Sequence, residues 1–286
     1  MPLVLRQKVV KDSDVIVDMP DLQSVSLKTE AELIRRARQN GVKAPLIHGV
    51  TKAGSPLGEA VLMEEVMGEA LPQRLFKDPK YEKALLGLTD ECAKLIVKIH
   101  KIPFKNLKGD LEESTPRQAL AILESQFKSF GQSSPVLACA LNWMIENCPS
   151  PSNPVLLHGD FRMGNLLIDE SGISAVLDWE LWHIGDPVSD IAFFCAPPWR
   201  FGRYKKQAGG VGDMADLISI YEKTSRRMVD TKRLLWWRMH KSVNWCLICM
   251  IMASMWRSGA DRELERIVIV TRLSESEIDV KILHPL

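Results

Sequence analysis

The sequence predicts an α+β protein in two unequal lobes, a small mixed lobe over residues 1–66 and a larger, mainly helical lobe over residues 67–286. Three observations predict it. The first 66 residues read strand, helix, strand, strand. Helical blocks follow that open on Pro79, Pro116 and Pro135, a residue suited to the first turn of a helix. A few short strand-like runs then interrupt the helical pattern between Val155 and Leu177.

In order, Pro2 to Val10 is short and rich in Leu and Val, which predicts a strand. A helix follows, with Leu33, Ile34 and Ala37 at helical spacing and a stop at Asn40-Gly41. Its start is open: Thr29 and Glu32 fit a capping box, and Ser24 or Ser26 also fits a cap. Leu46 to Thr51 and Ala60 to Val66 predict two strands around the turn Lys52-Ala53-Gly54-Ser55-Pro56. Met67-Gly68-Glu69 breaks the pattern. Helices are then predicted over Pro79–His100, Pro116–Phe130 and Pro135–Glu146. A proline-rich loop over 148–154 leads to short strands at Val155–Leu157, Leu166–Ile168 and Ser174–Leu177, and the rest after Asp178 predicts helix.

Composition is that of an ordinary globular protein, 46% hydrophobic and 26% charged. A formal net charge of +1 offers nothing in bulk to attract nucleic acid, so no nucleic-acid partner is expected. Arg6, Lys8 and Lys11 interrupt the first apolar run, so no signal peptide is expected. The apolar stretch Trp245–Trp256 falls short of the roughly 20 residues of a membrane span and predicts a buried helix. The six cysteines read as reduced thiols of a cytoplasmic protein. Cys246 and Cys249 form a C-x-x-C, but no second ligand pair lies nearby, so two small apolar residues on a helix is the simpler account.

The segment that carries chemistry is His158-Gly159-Asp160-Phe161-Arg162-Met163-Gly164-Asn165, followed by Val176-Leu177-Asp178-Trp179-Glu180. Phosphoryl transfer needs one carboxylate to orient an attacking hydroxyl and accept its proton. It needs a second carboxylate and an amide oxygen to hold magnesium against a triphosphate. Two such groups on either side of a tight hairpin bring their oxygens within a few ångströms.

His158-x-Asp160-x-x-x-x-Asn165 resembles the catalytic loop of protein kinases, with Gly159 where those enzymes usually carry Arg, and Asp178-Trp179-Glu180 takes the place of their Asp-Phe-Gly. The variant motif is similar to that of the aminoglycoside phosphotransferase and choline kinase-like family, and within it to the branch related to kinase modules joined to some acyl-CoA dehydrogenases. Gly185-Asp186-Pro187-Val188-Ser189-Asp190 also fits that family. The resemblance implies a bilobal protein-kinase-like fold and an ATP- and magnesium-dependent kinase acting on the hydroxyl of a small molecule. It implies Asp160 as base, Asn165 and Asp178 as Mg2+ ligands, and Arg162 as a contact for the γ-phosphate. Asp190 would brace the catalytic loop, and His158 would be a packed loop residue. Arg6 would contact phosphate from its strand, paired with Glu30, or else with Glu32. Met63-Glu64-Glu65-Val66 resembles the hinge that offers backbone groups to adenine, which places Glu64 and Val66 at the nucleotide.

Family members carry a hairpin and a phosphate-covering loop before the position of Arg6, whereas no glycine occurs here before Gly41. The resemblance therefore implies a small lobe truncated on its N-terminal side, with the Arg6 strand as an edge. A degenerate nucleotide-binding protein stands as the alternative function. A protein kinase proper is disfavoured, since no Ala-Pro-Glu follows Asp178 and seven residues separate it from Asp186. The basic, aromatic run 196–206 predicts an anionic hydroxylated acceptor, such as a hydroxyacyl thioester or a sugar acid, bound by Arg200 and Arg203. The eight tryptophans read as core.

Overall fold

The computed structural model describes residues 2–7, 25–52, 54–104, 111, 113–131, 134–260 and 262–284. Residues 8–10 of the predicted first strand, the alternative cap Ser24 and the predicted turn residue Ala53 lie outside the described residues.

The small lobe is a three-stranded antiparallel sheet of β1 (Leu3–Gln7), β2 (Ile47–Val50) and β3 (Ala60–Glu64), in the order β1-β3-β2. Among the described residues β1 is an edge of the sheet, its Arg6 opposite Val61. Leu3, Val4 and Leu5 are exposed and Arg6 is half-buried. Helix α1 (Leu27–Gln39) packs on this sheet through Leu27, Ala31, Leu33, Ile34 and Ala37, a spacing that puts them on one side. Ser26 is the cap, its hydroxyl accepting from the Thr29 N–H at 3.1 Å. The Thr29–Glu32 capping box does not form. Glu32 instead pairs with Arg36 one turn on, at 3.0 Å, which leaves Glu30 as the buried acid of the helix.

The large lobe is built on α3 (Glu82–His100) and α8 (Thr231–Ser258), with α2 (Pro72–Leu75) at the crossing from the small lobe. Leu88, Cys92, Ile96 and Ile99 of α3 are fully buried. Around α8 pack α4 (Pro116–Gln126), α5 (Pro135–Glu146), α6 (Pro187–Phe194), α9 (Leu264–Val270) and α10 (Leu273–Leu283). Helix α7 (Met214–Ser225) lies against α3. The predicted helix to Phe130 ends earlier, at Gln126, and passes into a π-helical turn over Phe127–Gly131. Among the described residues no helix is long and apolar enough to cross a membrane.

One prediction fails in the stretch after Asp178. It is not all helix: β8 (His183–Gly185) pairs parallel with β4 (Glu113–Ser114) and antiparallel with β5 (Val155–Leu157). Strands of two or three residues are too short for a period of two to register. The remaining hairpin, β6 (Leu166–Asp169) and β7 (Gly172–Val176), opens toward the site. The Leu177 N–H donates to the Asn165 carbonyl at 2.8 Å, so Asn165 and Asp178 flank its open end.

Candidate active site

The loop after β5 is shaped by two buried acids of α6 and its cap. Asp186 caps α6, accepting from the Val188 N–H at 3.0 Å, and meets Arg233 of α8 at 2.5 Å. One turn on, Asp190 is 2% exposed and accepts from the His158 N–H (2.9 Å) and the Gly159 N–H (3.1 Å). His100 of α3 faces it at 3.2 Å and is held on its other nitrogen by the Tyr221 hydroxyl at 3.0 Å. Burial opposes ionisation of Asp190, but the hydrogen bond and charge of His100 and the loop N–H groups outweigh it, and its carboxyl is held down at about 2.

His158 is fully buried against Trp179, ring centroids 4.8 Å apart. Its Nδ1 accepts from the Asp160 N–H at 3.2 Å and its Nε2 faces the Leu177 carbonyl at 3.1 Å. That pairing needs the neutral tautomer protonated on Nε2, and burial lowers the imidazole to about 4. Gly159 sits at φ +83°, and a side chain there would run into the Leu181 carbonyl. The structure thus gives a local reason for glycine at a position where the protein-kinase loop carries arginine. Gly159→Ala is expected to lose about 1–3 kcal/mol from the left-handed backbone alone, with the clash adding to it. A urea midpoint equal to that of the parent chain would contradict this account.

Asp160 is the centre of the loop. Arg162 Nε lies 3.0 and 3.1 Å from its two carboxylate oxygens. Asn165 Nδ2 donates to its carbonyl at 2.9 Å and to Oδ2 at 2.5 Å. Asn165 therefore commits its amide nitrogen to Asp160, which leaves its oxygen as the atom that can ligate a cation. Burial raises the Asp160 carboxyl to about 6, against the opposing pull of Arg162 and Asn165. Arg162 is itself stacked on Trp199, its guanidinium carbon 4.8 Å from the ring centre.

Across the hairpin stands a second group of charges. Arg6 meets Glu30 at 2.5 Å, Glu180 at 2.6 Å and Asp178 at 3.7 Å, so three carboxylates gather round one guanidinium. Burial drives Glu30 up to about 7, Arg6 opposing and the charges of Glu180 and Asp178 adding. Its Oε2 is buried with no hydrogen-bond partner. Asp178 holds a left-handed backbone, φ 62°, a strained state for a residue with a side chain. Glu180 was not among the sequence-derived candidates, although it stands in the Asp178-Trp179-Glu180 motif; nothing local marks it as the partner of a strand 174 positions away.

A cleft of about 850 Å³ opens beside Asp160 and Arg162 and is walled by Phe193, Trp199, Trp237 and Trp245. These tryptophans, read as core from sequence, face a cavity. Arg200 and Arg203 do not meet there. Arg200 is 6% exposed and turned inward, donating through Nε and Nη2 to the Cys195 carbonyl at 3.1 and 2.7 Å. Arg203 lies over Phe76, 4.5 Å from the ring centre, and borders a separate cleft against α3 and α7. These two arginines sit at and after a 3-10 turn over Pro197–Arg200 closed by Phe201 at φ 48°, and neither lines the cleft at Asp160, which periodicity could not reveal. In the small lobe, the Glu64 N–H is donated to the Leu46 carbonyl at 2.9 Å, and its carboxylate accepts from the Leu46 N–H (2.8 Å) and Arg38 (3.1 Å). Val66 follows the end of β3, half-buried.

A two-lobed α+β fold whose joining hairpin presents Asp160, Asn165 and Asp178 together defines a chain of the kinase-like phosphotransferase class. The model of the phosphotransferase enzyme family APH matches residues 4–223, and the chain belongs to that family. Acyl-CoA dehydrogenase family member 11 of Mus musculus is 29% identical over 217 residues, 68% of this chain, and the chain spans 26% of that relative's length. A protein of Ralstonia eutropha assigned as an aminoglycoside phosphotransferase superposes with a TM-score of 0.73 at 18% identity, covering 98% of this chain and 85% of that one. A thermostable mutant of aminoglycoside phosphotransferase APH(4)-Ia, in ternary complex with ADP and hygromycin B, superposes with a TM-score of 0.63 at 14% identity, covering 90% and 82%.

Proposed function

We propose that the chain transfers the γ-phosphoryl group of ATP to a hydroxyl of a small molecule. The observation that carries this reading is the Asp160 carboxylate, clamped by Arg162 and Asn165 and bordering a cleft large enough for an acceptor. The acceptor oxygen bonds to the γ-phosphorus as the bond from that phosphorus to the β,γ-bridging oxygen breaks. The hydroxyl proton passes to Asp160, and ADP leaves with the electron pair of the broken bond. Arg162, beside Asp160, can neutralise charge on the group in transit. Arg6, aligned by Glu30, would bind phosphate oxygens, and the backbone at Val66 would meet adenine.

The donor chemistry suits a hard divalent cation. Asp178 and the Asn165 amide offer oxygens, and three carboxylates around Arg6 leave negative charge that such a cation relieves. Among the described residues no three His, Cys, Asp or Glu side chains form a closed metal centre. Asn165 and Asp178 would therefore hold magnesium together with nucleotide oxygens, where the ion neutralises charge on the phosphates. Asp178→Ala is expected to raise the magnesium needed for half-maximal nucleotide binding about tenfold or more, and Asn165→Ala to raise it less. Calorimetric titration of ATP at stepped magnesium checks this, and an unaltered magnesium requirement in Asp178→Ala removes the assignment.

The likeness to acyl-CoA dehydrogenase family member 11 supports placing the chain in the branch of kinase-like modules related to such proteins. Its cysteines are free thiols, Cys92, Cys195, Cys246 and Cys249 being buried, which supports a cytoplasmic setting. A screen of hydroxylated metabolites for ADP release tests the function directly. Saturable ATP binding with no turnover on any alcohol would favour a nucleotide-binding protein without transfer activity.

A further inference from the structure

The cleft beside Asp160 also holds polar groups that phosphoryl transfer does not use. Trp237 lies four positions before Lys241 on α8, and Asn244 and Trp245 lie three and four after it, so these residues share one side of the helix. Trp199 packs edge-on against Trp245, centroids 4.8 Å apart, and lies 5.4 Å from Phe193. The indole N–H groups of Trp182, Trp199, Trp237 and Trp245 are buried with no hydrogen-bond partner, and so are both ring nitrogens of His240 and Oδ1 of Asn244. Trp199 and Trp237 are only 6% and 3% exposed. Buried polar groups in native proteins are nearly always paired, so several unpaired donors lining a single cleft call for a ligand that accepts from them.

The character of that ligand follows from the groups it must satisfy. Among the described residues lining the cleft, four indole donors stand against the Asn244 oxygen, and a neutral His240 brings one donor and one acceptor. Lys241 Nζ lies over the Trp237 and Phe193 rings at 5.3 and 5.7 Å, and Arg162 and Arg272 also border the cleft. Among the described residues that line it, Asp160 is the one carboxylate. A carboxylate ligand has acceptor sites and no donor, whereas each hydroxyl of a sugar brings a donor as well, and a polycation brings donors to donors. The ring faces of Phe193 and Trp237 offer an apolar wall for a hydrocarbon body.

We propose that this face of α8, with Trp199, is the subsite for a carboxylate at the far end of the acceptor, and that the acceptor is an apolar-bodied hydroxy acid. The hydroxyl end rests on the phosphotransferase reading, and the carboxylate end rests on the indoles and Lys241.

Calorimetry on the full chain without ATP, using 6-hydroxyhexanoate, 6-hydroxyhexanamide and 6-amino-1-hexanol, tests it. The carboxylate is expected to bind at least about tenfold tighter than the amide, the amino alcohol giving no saturable heat. Trp237→Phe, which keeps a ring and removes the N–H, and Lys241→Gln are each expected to weaken the carboxylate about tenfold. Equal binding of the three probes, no binding of the carboxylate, or a carboxylate affinity unmoved in both variants overturns the proposal. ADP release is read separately. Carboxylate binding without ADP release would sink the transfer reading and leave the subsite standing. ADP release with the amino alcohol in preference to the carboxylate would do the reverse.

Discussion

Asp160→Asn is expected to lower turnover by about 10²–10⁴ while nucleotide affinity stays at the parent value. The substitution keeps the size of the side chain and its place between Arg162 and Asn165. It removes the negative charge and the basic oxygen that would take the acceptor proton, so the loss falls on the transfer step. The measurement is ADP release on whichever alcohol the screen identifies, with ATP affinity read by calorimetry. Parent-level turnover in the Asn variant would dismiss Asp160 as base. A parallel collapse of ATP affinity would mean that the residue serves binding instead.

The second large effect is expected at Asp190, which touches no substrate in this reading. Its two carboxylate oxygens serve the His158 and Gly159 N–H groups and His100, all away from solvent. Asp190→Ala strands these donors and is expected to cost about 3–5 kcal/mol of stability. Asp190→Asn should recover part of it, since one of the two oxygens still accepts. The sign with pH follows from the depressed carboxyl. Its folded value, about 2, lies below the ordinary 3.8, so its stabilising share is full above about pH 4 and is lost as pH falls through about 2. Urea midpoints at neutral pH and at pH 3 check both statements. An Ala variant as stable as its parent at neutral pH would contradict the bracing role.

The Arg6–Glu30 pair shows what local pattern can and cannot carry. That a basic residue on the first strand would need an acid on the following helix came from resemblance, which gave Glu30 as the partner and left Glu32 as the alternative. Packing separates them. Ala31, Leu33 and Ile34 set the buried face of α1, which turns Glu30 inward and leaves Glu32 beside Arg36. Trp199, Trp237 and Trp245 show the converse failure, whereas Trp179 and Trp236 are buried in the core as expected. A large aromatic residue in an apolar helix reads as core whether its neighbour is another helix or a cavity, because hydrophobic periodicity records burial and not what does the burying.

From the sequence alone, the lobe order, the hairpin after residue 165 and the spacing of Asp160, Asn165, Asp178 and Asp190 were determined. Each depends on contacts only a few residues apart or on a motif whose chemistry dictates its spacing. The second sheet of β4, β8 and β5, the inward turn of Arg200 and the place of Glu180 beside Arg6 were decided by tertiary structure. Their partners lie far off in the chain or in the path of a turn. The direction of a side chain in such places is set by which long-range surfaces meet, a quantity that no short window of residues contains.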